Sequence, residues 1–352
     1  MFEDYEVVHL NLNNQNTYQQ WQALLSKEAL SDLSKTHAQE LDFSIGFYHE
    51  DNLIATASSQ DSIIKYVAIQ EQHRSDGKLF NKMISYLINY LATAGIFHLF
   101  VFTKPAYSQS FSYLGFKELA CTEKGCLLET GDQTITDFLA GISKMQGSLI
   151  GAIVMNANPF TKGHRYLIET AASQCDAVYV FVVSADRSLF TTKERFELVQ
   201  KNTADLTNVL VLEGGDYQVS PVTFPTYFLK TADDATIFQT ELDAALFKKW
   251  FVPALGITTR FLGEEPFSPT TKIYNDNLQK ILGNQLKVVV IPRKETPDQQ
   301  IISATTVRKL IKENKLEQVE KFVTPITLDF IQSHQQTLRD RMESEEEINH
   351  GN

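Results

Sequence analysis

Two rhythms of apolar residues divide the chain near residue 147. Before that point the apolar runs are short and closely spaced. Residues 43–48, 53–57 and 63–69 predict successive strands separated by the polar stretches 49–52 and 58–62. Leu79, Met83, Leu87 and Leu91 recur at four-residue spacing, which predicts a helix with one apolar face. Residues 97–102 predict another strand, and 134–145 a connecting helix ended by Gly147.

After residue 147 the rhythm becomes strand, loop, helix, repeated. Residues 149–155 and 177–183 are near-continuous apolar runs, as expected of parallel strands covered on both faces. Helices are predicted over 163–173 and 191–202, the second opened by the capping box Thr191-Thr192-Lys193-Glu194. Further strands are predicted at 209–212, 260–263 and 286–291, and further helices at 237–250 and 272–282. Helical pattern persists to about Met342 and is then lost. These shifts predict a first domain at 1–132, a connecting segment at 133–147, a second domain at 148–342 and an acidic, frayed tail at 343–352. Alternation of strand and helix predicts a doubly wound parallel sheet in the second domain.

Composition narrows the function classes. The chain has 352 residues, with 43% hydrophobic and 11% aromatic residues, enough for packed cores. A formal charge of −11, with Glu343, Glu345, Glu346 and Glu347 crowding the end, argues against nucleic acid or an anionic membrane as partner. Any phosphate ligand must therefore be small and held by local geometry. The start, Met1-Phe2-Glu3-Asp4, lacks the basic region of a signal peptide, and no apolar stretch approaches the ~20 residues of a spanning helix. A cytoplasmic protein is expected. Cys121, Cys126 and Cys175 are too few for a disulfide framework and are expected as free thiols, with Cys121 and Cys126 flanking a hairpin turn.

The candidate chemistry lies at the first strand–helix junction of the second domain. Residues 155–164 fall beyond the carboxyl end of a central strand, where open α/β sheets place ligands. Gly163 allows close backbone approach as a helix opens, and the free N–H groups of the first turn suit a phosphate. His164 and Thr161 add donors at the same place. A second anion-ready helix start is predicted at 302–308, where Ser303 is a natural N-cap and Thr305 and Arg308 lie in the first turns. Two such starts in one sheet suggest opposite ends of one polyphosphate.

Thr161-Lys162-Gly163-His164 resembles the T/H-x-G-H signature of the nucleotidylyltransferase superfamily, and residues 302–308 resemble its ISSTxxR-type motif. Residues 156–169, Gly215-Asp216-Tyr217, residues 223–230 and residues 263–268 are together similar to the citrate lyase ligase family. Arg74-Ser75-Asp76-Gly77-Lys78-Leu79 and Phe111-Ser112-Tyr113-Leu114-Gly115-Phe116 resemble the coenzyme A loop and a later turn of the GNAT acetyltransferases, although Leu79 stands where that loop has Gly or Ala.

The resemblance implies an α/β chain, with a GNAT-like mixed α+β domain followed by a Rossmann-like doubly wound parallel sheet. It also implies an acid–thiol ligase forming AMP. Acetate would be activated with ATP as acetyl-adenylate, and the acetyl group passed to the prosthetic-group thiol of the citrate lyase acyl carrier subunit. His164, Thr161 and Arg308 are then the expected catalytic residues. Asn156, Asn158, Phe160, Gly163, Ser303, Thr305 and Arg187 are expected at ATP, and Arg74 and Gly77 at the prosthetic group. Mg²⁺ is expected to arrive with ATP, since no carboxylate cage is visible in the sequence. Two other functions share these motifs: an adenylyltransferase acting on a phosphorylated metabolite, and a nucleotide-sensing module fused to an acetyltransferase.

Overall fold

A computed structural model describes residues 5–28, 30, 33–74, 77–184, 188–218, 232–264, 269–283 and 286–350. The chain divides into two units, one of Met1–Phe138 with Phe224–Lys249, the other of Leu139–Thr223 with Trp250–Asn352.

The first unit is a mixed sheet with helices on both faces. Its strands are β1 (Glu6–His9), β2 (Phe43–His49), β3 (Asn52–Gln60), β4 (Ile63–Ile69), β5 (Leu99–Thr103), β6 (Lys117–Cys121) and β7 (Cys126–Thr130), in the order β1-β2-β3-β4-β5-β7-β6. All neighbours are antiparallel except β4 and β5. That parallel pair is registered at Ile63 with Phe100 and at Ile64 with Val101, and then parts. The helices are α1 (Gln15–Lys27), α2 (Lys35–Gln39), α3 (Lys78–Thr93), α4 (Pro105–Ser112) and α5 (Ile135–Ala140). Leu79, Met83, Leu87 and Leu91 of α3 are buried against Ile54 and Ile64, while Trp21 and Leu25 of α1 are buried with Leu53 and Tyr66. Adjacent strand residues point to opposite faces, so the two helices cover opposite sides of the sheet.

Two expectations for this region are corrected. The connecting helix stops at Ala140, not residue 145, because Gly141 follows and tertiary bonds claim the next backbone. There the Met145 N–H donates to the Tyr179 hydroxyl at 2.7 Å, which in turn donates to the Ser143 carbonyl at 3.2 Å. Cys121 and Cys126 are a disulfide rather than two free thiols, because the β6–β7 hairpin sets them directly opposite each other. Cys175 is free.

The second unit is a five-stranded, wholly parallel sheet. Strands β8 (Ile150–Met155), β9 (Ala177–Val182), β10 (Val209–Glu213), β11 (Thr259–Gly263) and β12 (Lys287–Ile291) lie in the order β10-β9-β8-β11-β12. Between them run α6 (Lys162–Gln174), α7 (Thr192–Asn202), α8 (Ala232–Leu246, which groups with the first unit), α9 (Val252–Leu255) and α10 (Pro269–Leu282). After them come α11 (Ala304–Lys312), α12 (Leu316–Val319), α13 (Pro325–Ser333) and α14 (Gln335–His350), so the backbone stays helical past Met342, where the sequence pattern fades.

The chain winds outward from β8 to β10 and then returns to the other side of β8, so the strand order reverses between β8 and β11. Those two strands are registered at Gly151 with Thr259 and at Ala152 with Arg260, and part beyond that. A crevice therefore opens at their carboxyl ends, the expected position for a ligand in this fold.

Candidate active site

The crevice is a cavity of about 690 Å³. Its walls come from the loop after β8, the first turns of α6 and α11, and the ends of β11 and β12. The two helix starts identified in the sequence thus face one space, with Gly163 and His164 on one wall and Ser303, Thr305 and Arg308 on another.

Thr161 and His164 form a reciprocal capping box at the start of α6. The His164 N–H donates to Thr161 Oγ1 at 3.3 Å, and the Thr161 N–H donates to His164 Nδ1 at 3.1 Å. A ring nitrogen that accepts carries no proton, so the neutral imidazole holds its hydrogen on Nε2. Burial, aided by the nearby Arg293 cation, pushes the ring down to about 4. His164 at neutral pH is therefore an uncharged N–H donor on the cavity wall. Thr161 also lines the cavity; it is only 2% exposed, and its Oγ1 is held in the cap beside His164 Nδ1 at 3.0 Å.

Neither backbone strain nor a steric clash requires glycine at 163. A Cβ there would sit 3.4 Å from Thr161 Oγ1 and 3.5 Å from the Ile302 carbonyl, both ordinary contacts. The missing methyl leaves the helix N–H groups open to whatever occupies the cavity.

At the adjoining helix start Ser303 caps α11, accepting from the Thr306 N–H at 3.0 Å. Arg308 folds back over the first turn. Its Nη1 donates to the Asn158 carbonyl at 2.6 Å and its Nη2 to Thr305 Oγ1 at 3.2 Å. Arg293 and Lys294, which the sequence pattern did not single out, join the wall just after β12. Arg293 Nε donates to the Glu264 carbonyl at 2.7 Å and Nη1 to the Ile302 carbonyl at 3.1 Å, tying the end of β11 to the start of α11. A basic pair beyond the carboxyl end of a parallel strand was the available signal.

The remaining expected residues divide. Asn156 and Asn158 line the cavity. Asn156 Oδ1 accepts from Arg195 Nη1 at 2.9 Å, and Asn158 Oδ1 accepts from the Phe190 N–H at 3.0 Å. Phe160 does not reach the cavity. It is fully buried in the core, its ring 5.7 Å from that of His164, and the apolar side chain supports the histidine from behind. Arg187 and residues 223–230 and 265–268 lie outside the described residues. Arg195, not anticipated from sequence, is fully buried and donates to the carbonyls of Asn156, Val183 and Phe190, fastening the ends of β8 and β9 together.

Arg74 and Gly77 belong to a separate cavity of about 380 Å³ in the first unit, where β4 and β5 part. Its apolar wall includes Val67, Ile69, Phe80, Phe102 and Phe111. Gly77 adopts a φ of 69° at the N-cap of α3, a conformation that favours glycine. Arg74 is already engaged there, paired with Glu28 and donating to the Ile69 carbonyl at 2.8 Å.

Comparison with known proteins finds a matching family model and relatives along most of the chain. The family model described as citrate lyase ligase C-terminal domain matches residues 150–331. Citrate (pro-3S)-lyase ligase of Haemophilus influenzae is 39% identical over 301 residues, covering 82% of this chain and 89% of its own. The protein of that name from Escherichia coli K12 is 37% identical over 293 residues, covering 81% and 83%. Among solved structures, TmcAL of Thermotoga maritima bound with alpha-thio ATP is 13% identical, with a TM-score of 0.33 over 53% of this chain and 56% of its own. With a family model spanning half of its length and relatives 37–39% identical over about four-fifths of it, this chain belongs to the citrate lyase ligase family.

Proposed function

We propose that the chain is an ATP-dependent ligase that activates acetate and delivers the acetyl group to the prosthetic-group thiol of the citrate lyase acyl carrier subunit. One observation carries the reading at this site: two helix N-termini, a neutral histidine donor and three basic side chains converge on one cavity at the reversal point of the sheet.

The chemistry needs two steps. A carboxylate cannot surrender an oxide to a thiol, so an acetate oxygen first attacks the α-phosphorus of ATP. The bond to the bridging oxygen breaks, pyrophosphate departs, and acetyl-adenylate remains. The thiolate of the carrier then attacks the acetyl carbon and AMP leaves with the bridging oxygen. Acetate is ionised at neutral pH, so the first step asks for no general base. It asks for donors fixed in advance where negative charge grows. In this reading Gly163 N–H and His164 Nε2–H serve the α- and β-phosphates. Arg308, Thr305 and the α11 N-terminus serve the departing pyrophosphate, with Arg293 and Lys294 beside them.

Magnesium fits this wall only as a passenger of the nucleotide. Glu264 is the carboxylate residue of the described cavity wall, and one carboxylate with phosphate oxygens and water suits Mg²⁺. Bound there, the ion would neutralise charge on the phosphates. In this reading the reaction draws on cytoplasmic ATP. No described helix is long and apolar enough to cross a membrane.

Acetate-dependent exchange of labelled pyrophosphate into ATP, without carrier protein, tests the first step. The ligase reading expects exchange with acetate and none without it. A metabolite adenylyltransferase would ignore acetate, and a sensing module would bind ATP without exchange.

The first-unit cavity supports a second reading, that it receives the prosthetic arm of the carrier. Its apolar channel between parting strands suits a narrow chain, and the α3 N-terminus at Gly77 suits the pyrophosphate. Arg74 would have to leave Glu28 to contribute. Carrier titrations with Gly77→Asp and Arg74→Ala variants should show weakened affinity while acetate-dependent exchange persists. Unchanged carrier affinity in both would remove this reading.

A further inference from the structure

A side chain outside the cavity, unused in the chemistry above, holds part of the cavity wall in place. Arg341, half-buried on α14, grips Glu194 with both ends of its guanidinium, Nη1 to Oε2 at 2.8 Å and Nη2 to Oε1 at 3.0 Å. The same Nη1 donates to the Leu189 carbonyl at 3.0 Å. Glu194 is fixed in its turn, because its Oε2 accepts from the Thr191 N–H at 2.8 Å in the capping box of α7. A two-pronged arginine–carboxylate pair sets direction as well as distance. Arg341 is therefore a rigid donor to Leu189.

The Leu189 carbonyl shares one planar peptide unit with the Phe190 N–H. That N–H donates to Asn158 Oδ1 at 3.0 Å. Arg341 thus holds one edge of the plane from outside, and Asn158 receives the opposite edge from within. Asn158 is the residue whose own carbonyl accepts from Arg308 Nη1 at 2.6 Å. Behind the plane, the buried Phe190 ring packs 5.9 Å from that of Phe330 on α13, so the unit has little room to tilt once Arg341 is engaged.

We propose that Arg341 is a positioning residue for the nucleotide site: by fixing the Leu189–Phe190 peptide plane it sets Asn158, and through the Asn158 carbonyl it sets the direction of Arg308. The last helix of the chain is thereby part of the support of the phosphate wall, although none of its described side chains is among the lining residues. The proposal rests on the reading of the cavity as an ATP site.

The test is a double-mutant cycle in the full-length chain, with Kd for ATP measured by calorimetry and melting temperature measured alongside. Arg341→Ala should weaken ATP binding ~2–30-fold, the range usual for coupling through a packed network. In an Arg308→Gln background the same change should cost nothing further, because no guanidinium remains to be aimed. Arg341→Lys, which can reach Leu189 or Glu194 but cannot fork, should fall between. Equal fold-losses in both backgrounds, or a lowered melting temperature with unchanged Kd, would overturn the proposal. A parent protein that binds no ATP would overturn it together with the site reading. A parent that binds ATP but shows no acetate-dependent exchange would remove the ligase chemistry alone, and the cycle would still decide the role of Arg341.

Discussion

Arg308 donates to the carbonyl of Asn158 at 2.6 Å across 150 positions of sequence, joining α11 to the turn that follows β8. The bond aims a planar, permanently charged group along the wall between the two helix starts. Lysine carries the same charge but lacks the fork that reaches Asn158 and Thr305 together. Arg308→Lys should therefore lower acetate-dependent exchange by ~10²–10³, the usual loss for one transition-state donor. Circular dichroism should show the fold unchanged. A lysine variant with full exchange activity would mean that charge alone is sufficient there.

The pH behaviour of His164 follows from its depressed pKa. Folded, the ring titrates at about 4, while an unfolded histidine titrates near ~6.5. As pH falls from the higher value to the lower, the unfolded chain takes up a proton that the folded chain refuses, so His164 lowers stability progressively across that window. Replacing it by Gln should flatten the fall in denaturant midpoint between pH 6.5 and 4. The ring of the ATP-free protein, followed by NMR, should show no titration between pH 5.5 and 8 (~1.5 or more above its folded pKa). A midpoint near the ordinary histidine value would contradict the burial that depresses the ring's pKa.

Gly163→Ala separates folding from binding. The added methyl meets the protein only at ordinary contact distance, and alanine is favoured over glycine in a helix by ~1 kcal/mol. The melting temperature should hold or rise while ATP binding, read by calorimetry, weakens at least ~10-fold (~1.4 kcal/mol) from loss of close phosphate approach. Unimpaired binding would show that no ligand approaches this backbone.

Arg195→Met tests the buried scaffold beneath the site. The change strands the carbonyls of Asn156, Val183 and Phe190, each now bonded to the guanidinium. Buried acceptors left unpaired cost ~1–3 kcal/mol apiece. Of the three bonds only that to Phe190 is fully buried. Urea unfolding should therefore show a loss of roughly 1–3 kcal/mol, and a loss well below ~1 kcal/mol would mean that water replaces the arginine freely.

The two helix starts of the candidate site were legible because their signals are local. A capping threonine, a glycine and a histidine within four positions, and a serine-capped turn with Arg308, name two helix starts by chemistry that needs no tertiary context. The sheet was legible for a similar reason, since apolar runs such as β9 are buried throughout. What was not legible depends on long-range pairing. Phe160 reads as part of the motif, but its apolar ring is taken by the core. Arg195 and Arg293 read as ordinary helix and loop arginines until their carbonyl partners just beyond the ends of β9 and β11 are known. The Cys121–Cys126 bond depends on the register of a hairpin whose strands carry little pattern of their own. The short α5 yields to hydrogen bonds from Tyr179, 34 positions beyond Met145.

The formation of acetyl-adenylate in the β8–α11 cavity is tested most directly with acetate labelled by ¹⁸O in both carboxylate oxygens, in a full reaction with ATP and the thiol form of the carrier. Attack on the α-phosphorus leaves one acetate oxygen on the adenylyl group when the thiolate takes the acetyl carbon, so the account predicts one ¹⁸O in each AMP formed and none in pyrophosphate. Unlabelled AMP, with the isotope instead in released inorganic phosphate, would place the attack on another phosphorus and contradict it.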